Sequence, residues 1–454
     1  MVVSTDSPEQ ALGQPTWQYS IQQPAKEFPL TPLPVLSGKI PAGLRGSLYR
    51  NGPGRLERGG QRVGHWFDGD GAVLGVHFNG TEASGVYRYV QTEVYKAEEQ
   101  AGRFIGYNYG TYPSGNYWQR ITAPLKNAAN TSVMTTTDRV LTLWEAGSPH
   151  VLDLETLATL GLDDLGSQNP NFLCSAHPKR DPVTGDIFNF GMDVSSPFPK
   201  LILYRISPEG KIQQQKHHKL GCFTLIHDFL MAGPYLVVIV PPIRAHLPSL
   251  LPRLKTFSNC LQWKPQLGTQ ILVFDRDTLD LVSRDTVEPW FNWHVGNGCV
   301  DKDGQIVFDM PRLSNWDSNQ RLAEVVTGDL QTEAFAYLHR ARIDPVTARI
   351  SHTEKISDLP CEFLTVAPSD VGQPWRYTYL NVNTKSPEAG RDKDWFNAIG
   401  RMDYQTGELM VSDLPDGYYP VEAIYAVDAE NEHQGWILTV IYNSPEHRSE
   451  VWVW

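Results

Sequence analysis

The sequence has little of what marks several common protein classes. No apolar run approaches the ~20 residues that span a bilayer, and the opening Met1-Val2-Val3-Ser4-Thr5-Asp6-Ser7-Pro8 lacks the charged-then-apolar order of a secretion signal. No block of lysine or arginine occurs. The 39 basic residues against 51 acidic ones give a net charge of −12, which argues against nucleic-acid binding. Cysteine is scarce: five in 454 residues, an odd number, with no Cys-x-x-Cys pair. That points away from a disulfide framework and toward a reduced, cytoplasmic setting, with membrane contact at most peripheral.

What is present suits a large β protein. Apolar residues make up 41% of the chain and aromatics 11%, enough for a sizeable core, and 454 residues exceed the usual single-core limit. Glycine (37) and proline (33) are spread along the chain, as many turns require. Residues 1–25 are polar and aperiodic and read as a flexible tail; 26–454 reads as one domain. Leu48-Tyr49-Arg50-Asn51-Gly52-Pro53-Gly54 is a strand running into a sharp turn. Asp68-Gly69-Asp70-Gly71 is hairpin-turn chemistry, favoured over a calcium loop because the remaining ligands of such a loop are missing.

Beyond that point a unit recurs: an apolar strand, an acidic or polar turn, then a second short strand. Its turns fall at Asp153, Ser207, Asp275, Asp344 and Asp403. Hairpins at loosely regular intervals, roughly 50–70 residues here, are the signature of β-propeller blades lengthened by loop insertions. The long connections 241–265 and 311–335 exceed hairpin loops, and such insertions tend to gather on one face and carry function.

Three histidines recur at about the same interval in similar settings: Ser175-Ala176-His177-Pro178, Ile226-His227-Asp228-Phe229 and Trp293-His294-Val295-Gly296. In a propeller, residues one blade apart can converge on the axis, and neutral imidazoles that converge call for a cation. A lone histidine is more often a hydrogen-bonded core residue, and His150, His246, His339, His352 and His433 are read that way; His217 and His218 read as a solvated strand edge. Glu145, Glu362 and Glu422 form a second series. Each lies among apolar or aromatic neighbours, where a carboxylate is costly unless paired, and metal-bound histidines usually donate their free N–H to such a group. An edge-strand glutamate facing water is the plainer alternative.

Taken together, Leu48 to Gly54, Phe67-Asp68-Gly69-Asp70-Gly71, Lys126-Asn127-Ala128-Ala129-Asn130-Thr131, Ser175 to Pro178, Ile226 to Phe229, Cys361-Glu362-Phe363 and His447-Arg448-Ser449-Glu450 resemble the carotenoid cleavage oxygenases, from about Pro34 onward. The resemblance implies a seven-bladed β-propeller with a dome of long loops over one face. It implies Fe(2+) on the axis held by four histidines, three of them matching His177, His227 and His294, with outer glutamates matching Glu145, Glu362 and Glu422. It implies insertion of O2 across a conjugated C=C bond of a carotenoid or apocarotenoid, giving two carbonyl products. A stilbene-cleaving dioxygenase of the same family is the alternative substrate class. The rival readings are a propeller hydrolase with axial calcium and a propeller that only binds a ligand at a defective metal site.

Phe67, Tyr109, Trp118, Trp144, Phe291 and Trp293 are candidates to line a polyene site or to serve the core; none is assigned to catalysis. Residues 243–257, with Ile243, Leu247, Leu250, Leu251, Leu254 and Phe257 among Arg244, Arg253 and Lys255, suit shallow contact with a membrane, or else pack on the dome. The protein is expected to act as a monomer. The family's fourth histidine lies beyond His447-Arg448-Ser449-Glu450. The expectation is therefore a last blade lacking its final strand segment, three histidine ligands, low iron affinity, and His447 at a blade rim.

Overall fold

The computed structural model describes residues 16–167, 169, 172–194, 199–385 and 395–454. Residues 1–15 of the expected tail lie outside this set. Residues 16–25 contain one short helix and one buried side chain. Trp17–Ile21 forms a 3-10 helix, and Trp17 is buried against Val325, Leu330 and Tyr419, with its ring 5.8 Å from that of Trp395. An indole buries enough apolar area to anchor an otherwise polar segment, which polarity averaged over 25 residues conceals.

Strands dominate, in four-stranded antiparallel meanders. The first unit orders Phe28–Leu33, Ala83–Tyr89, Asp70–Asn79 and Arg45–Arg55. The second contains Ser132–Thr135, Val140–Leu143, His150–Leu152 and Thr159–Leu162; the third, Lys179–Arg180, Ile187–Asp193, Lys200–Ile206 and Ile212–Lys219. An 11-stranded run follows, in which Phe229–Ala232 touches Gly298–Val300 through one parallel pair, Ala232 with Gly298. Within it Ile350–Thr365 pairs Tyr337–Ile343 through its first part and Tyr377–Val382 through its end. The last sheet is built around Asn431–Asn443, which Tyr418–Pro420, Ile424–Asp428 and Arg448–Val453 all pair.

Four of the five recurring turns have one local cause. Asp153, Asp275, Asp344 and Asp403 each accept, through a side-chain oxygen, the backbone N–H two residues on, as Asp181 also does; at Ser207 the hydroxyl instead accepts Lys211 N–H. This capping lets an aspartate open a tight turn without any tertiary partner. The strands between turns bury alternate or continuous apolar faces. Leu230, Val237, Val273 and Phe308 share one core cluster; Phe190, Leu203, Phe229 and Val238 share the next. Each such side chain, fully buried, contributes about 1.5–3 kcal/mol.

Asp68-Gly69-Asp70-Gly71 is not the expected hairpin turn: Asp68 ends the 3-10 helix Trp66–Asp68, Asp70 and Gly71 open the strand Asp70–Asn79, and both aspartates are consumed by protein donors. Asp68 accepts Gly110 N–H at 3.0 Å and the Thr111 hydroxyl at 2.5 Å. Asp70 pairs with Arg58 at 2.7 Å and Lys126 at 2.5 Å, and Lys126 also meets Glu98 at 2.7 Å, all buried. A Cβ on Gly71 would lie 2.2 Å from the Ala129 carbonyl oxygen, so only glycine lets the 126–132 segment cross here.

The 243–257 connection divides. Ile243 is buried; Leu247, Leu250 and Phe257 are half-buried; Leu251 is 75% exposed and Leu254 also faces out. Of its cations, Arg253 is turned inward, donating to the carbonyls of Arg120, Ile121 and Ala123 with its guanidinium 4.0 Å from the Tyr107 ring centre. It staples the connection to the helix Tyr117–Thr122. Trp118, a candidate for the polyene site, stands on that helix 71% exposed. The expectation fails because one residue of an amphipathic turn gives no sign of which face is covered.

Candidate metal centre

Each of the three histidines stands just ahead of the first strand of a meander: His177 before Lys179–Arg180, His227 before Phe229–Ala232, His294 before Gly298–Val300. These irregular segments turn the imidazoles toward one another. One ligand-type atom from each lies within 4.8 Å of the others, and Nε2 of His177 is 3.0 Å from Nε2 of His227. Ring centres are 4.5 Å apart for His177 and His227, 5.0 Å for His177 and His294, and 5.1 Å for His227 and His294.

The carboxylates differ among themselves. Glu362 Oε2 is 2.7 Å from His294 Nδ1, and Glu145 Oε1 contacts His227 Nδ1. Glu422 lines the same cavity, but its carboxylate faces Arg50 at 3.7 Å rather than an imidazole. Burial, then the neighbouring His227, His294 and Lys179, hold His177 well below the usual imidazole range. His294 is also pressed down by burial, but Glu362, Asp228 and Glu422 outweigh this and hold it above its ordinary value. Two rings thus have Nδ1 engaged with a carboxylate, Nε2 of His227 meets Nε2 of His177, and burial disfavours charge on His177. That is a donor set for a borderline transition metal such as iron. His447 is elsewhere, in a turn with φ of 47° and its Nδ1 2.7 Å from the Tyr442 hydroxyl.

The three histidines open onto a cavity of about 2270 Å³, whose walls include Phe67, Trp293, Phe363 and Phe396. The Phe67 ring lies parallel to that of His227 with centres 6.0 Å apart, and Trp293 meets the same imidazole edge-on at 5.2 Å. Tyr109 packs on Phe67 and Phe291 on Trp293, both of the cavity wall, while Trp144 is buried without lining the cavity. From His227 a file of rings runs through Phe67 and Tyr109 to Phe257, at the inner side of the stapled connection.

Three neighbours have no role assigned to them from the sequence, although Asp68 and Asp228 stand within its motifs. His65, fully buried, accepts Phe67 N–H at Nδ1 and donates Nε2–H to the Asn319 carbonyl, and burial drives it down to about 3. Burial raises Asp68 to about 6 against the pull of Thr111 and Gly110. Asp228, beside His227, is buried as well. Their environments arise from contacts distant in sequence; His65 meets Asn319 across 254 residues.

The family model described as retinal pigment epithelial membrane protein, RPE65, matches residues 21–454. Apocarotenoid-15,15'-oxygenase of Synechocystis sp. is 33% identical over an alignment covering 98% of this chain and 92% of that protein. Resveratrol cleavage oxygenase 1 of Aspergillus fumigatus is 25% identical, covering 91% and 85%. Among solved structures, cobalt-substituted Synechocystis ACO superposes with a TM-score of 0.86 at 30% identity, covering 96% of this chain and 92% of that one.

Proposed function

Since the chain belongs to the RPE65 family of carotenoid oxygenases, we propose that it is an iron(II)-dependent dioxygenase cleaving a conjugated C=C bond of an apocarotenoid or carotenoid. The products are two aldehydes, one oxygen atom of O2 ending on each former alkene carbon. The observation that carries this is the convergence of His177, His227 and His294 beside an aromatic-walled cavity, with carboxylates on two of the rings. In this reading the four-stranded units are the blades of a seven-bladed propeller spanning 26–454, the histidines lie near its axis, and the long connections make a dome.

His177, His227 and His294 would hold the metal through Nε2. Bound iron(II) supplies the activation of O2. Glu145 and Glu362 accept Nδ1–H of His227 and His294, fixing the tautomer and raising the basicity of the nitrogen that faces the site. Glu422 acts at longer range, adding negative field at His294. Phe67 and Trp293 exclude water, and their ring faces stabilise positive charge that develops on a polyene. A cluster of three imidazoles with no carboxylate among its members argues against axial calcium, which takes oxygen ligands.

Trp118, Tyr117, Leu125, Leu251 and Leu254 form the exposed apolar surface on the two stapled segments, with Lys255 exposed beside them. That surface suits peripheral contact with the membrane in which such substrates dissolve. All five cysteines are free, in keeping with a reducing compartment, and we read the protein as acting alone there.

The test is incubation of iron-loaded protein with a panel of apocarotenals, carotenoids and stilbenes under 18O2, with products identified by mass. Two labelled aldehydes from a polyene, absent with His294→Ala, are expected. Cleavage of stilbenes alone would move the substrate class, and intact substrates in the presence of bound iron would refute the reading.

A further inference from the structure

We infer that Asp228 is the positioning residue that locks the three histidine-bearing segments into one arrangement, acting through Lys179 and Val295; this rests on the metal-centre reading above. Its two oxygens are shared among all three segments. Oδ1 meets Lys179 Nζ at 2.8 Å and accepts Phe229 N–H at 2.8 Å; Oδ2 accepts Val295 N–H at 2.9 Å. Lys179 lies two residues after His177, Asp228 directly follows His227, and Val295 directly follows His294. Consecutive Cα atoms are about 3.8 Å apart, so a shift of this carboxylate reaches every imidazole within one or two residues.

The link matters most for His177. His227 and His294 each have a carboxylate on Nδ1, whereas among the described residues no carboxylate stands within ion-pair distance of the His177 ring. Its placement falls to its backbone, through His177 N–H on Ser175 Oγ at 3.0 Å and through Lys179 on Asp228. The pair is well shielded. Asp228 is 4% exposed, and the Lys179 ammonium lies 5.9 Å from the centre of the Phe229 ring. A buried carboxylate that has lost its cation is strained, so the two residues should act as one unit.

The experiment titrates metal-free protein with Co(II), reading the dissociation constant and the visible spectrum, in the parent and in Asp228→Asn, Lys179→Met, Lys179→Arg and the Asn/Met double variant. Asp228→Asn and Lys179→Met should weaken Co(II) binding about 10–100-fold and alter the bands, as loss of a supporting contact does. Lys179→Arg should stay near the parent, and the double variant should be no worse than its weaker parent, because both changes break one link. A merely structural role would lower the apo melting temperature and leave the metal constant and spectrum unmoved. Parent-like constants and spectra in folded Lys179→Met and Asp228→Asn overturn the inference; should Asp228→Asn fail to fold, Lys179→Met decides alone. A parent that binds no Co(II) overturns the metal-centre reading and this inference together.

Discussion

Glu362 holds a carboxylate oxygen 2.7 Å from His294 Nδ1, while Glu422 faces Arg50 and reaches His294 only through its field. The two glutamates should therefore separate under the same substitution. Glu362→Gln is expected to lower metal affinity about 10–100-fold, and Glu422→Gln to have a clearly smaller effect, both read by Fe(II) titration. Asp68 gives a pH prediction. Its folded value, raised by burial to about 6, lies above that of an unfolded aspartate, so the folded chain holds the extra proton between about pH 4 and 6. Stability from this group is full below that window and is lost as pH rises through it. The parent should thus lose stability relative to Asp68→Asn across pH 4 to 6, by up to about 3 kcal/mol, in paired thermal melts. At this scale the sequence shows His177, His227 and His294 because each sits in a short, repeated setting. His65 and Asp228 stay silent, since burial and partners far along the chain make them what they are.

The helix-to-strand junction Asp68 to Gly71 and the segment 126–132 behave as one element. Gly71 N–H donates to Ala128 O at 2.9 Å, Asn130 Nδ2 donates to Phe67 O and Gly69 O, and Ser132 Oγ donates to Ala176 O, the residue before His177. Through these contacts the crossing sets Phe67 against His227. Gly71→Ala, whose Cβ would collide with the Ala129 carbonyl, should cost about 1–3 kcal/mol in denaturant unfolding and reduce turnover, where Gly60→Ala, strained by its φ of 78° but with open space around it, should cost stability and leave turnover alone. The recurring aspartate turns were legible because their capping is local. The staple between Tyr117–Thr122 and the 243–257 connection was not, because Arg253 bridges elements more than a hundred residues apart. Hydrophobicity of the loop alone therefore placed Ile243 and Leu251 on the same surface, though one is buried and the other exposed.

For the whole molecule, the repeat of strand meanders was readable as a period of blade-like units, and the family resemblance supplied the expected blade number and the activity. The exposed surface around Trp118 and Leu251 gives a prediction for the intact protein. Trp118→Ser with Leu251→Ser should reduce sedimentation with liposomes severalfold while melting temperature and metal binding hold; unchanged sedimentation would leave the patch without a membrane role. The central claim is that three imidazoles make one iron site, and anaerobic metal titration of the parent beside His177→Ala, His227→Ala and His294→Ala tests it most directly. The expected result is saturation at one Fe(II) per chain, with affinity falling at least about tenfold in each folded variant. Binding of calcium in place of iron, or iron retained with parental affinity in all three variants, would contradict it.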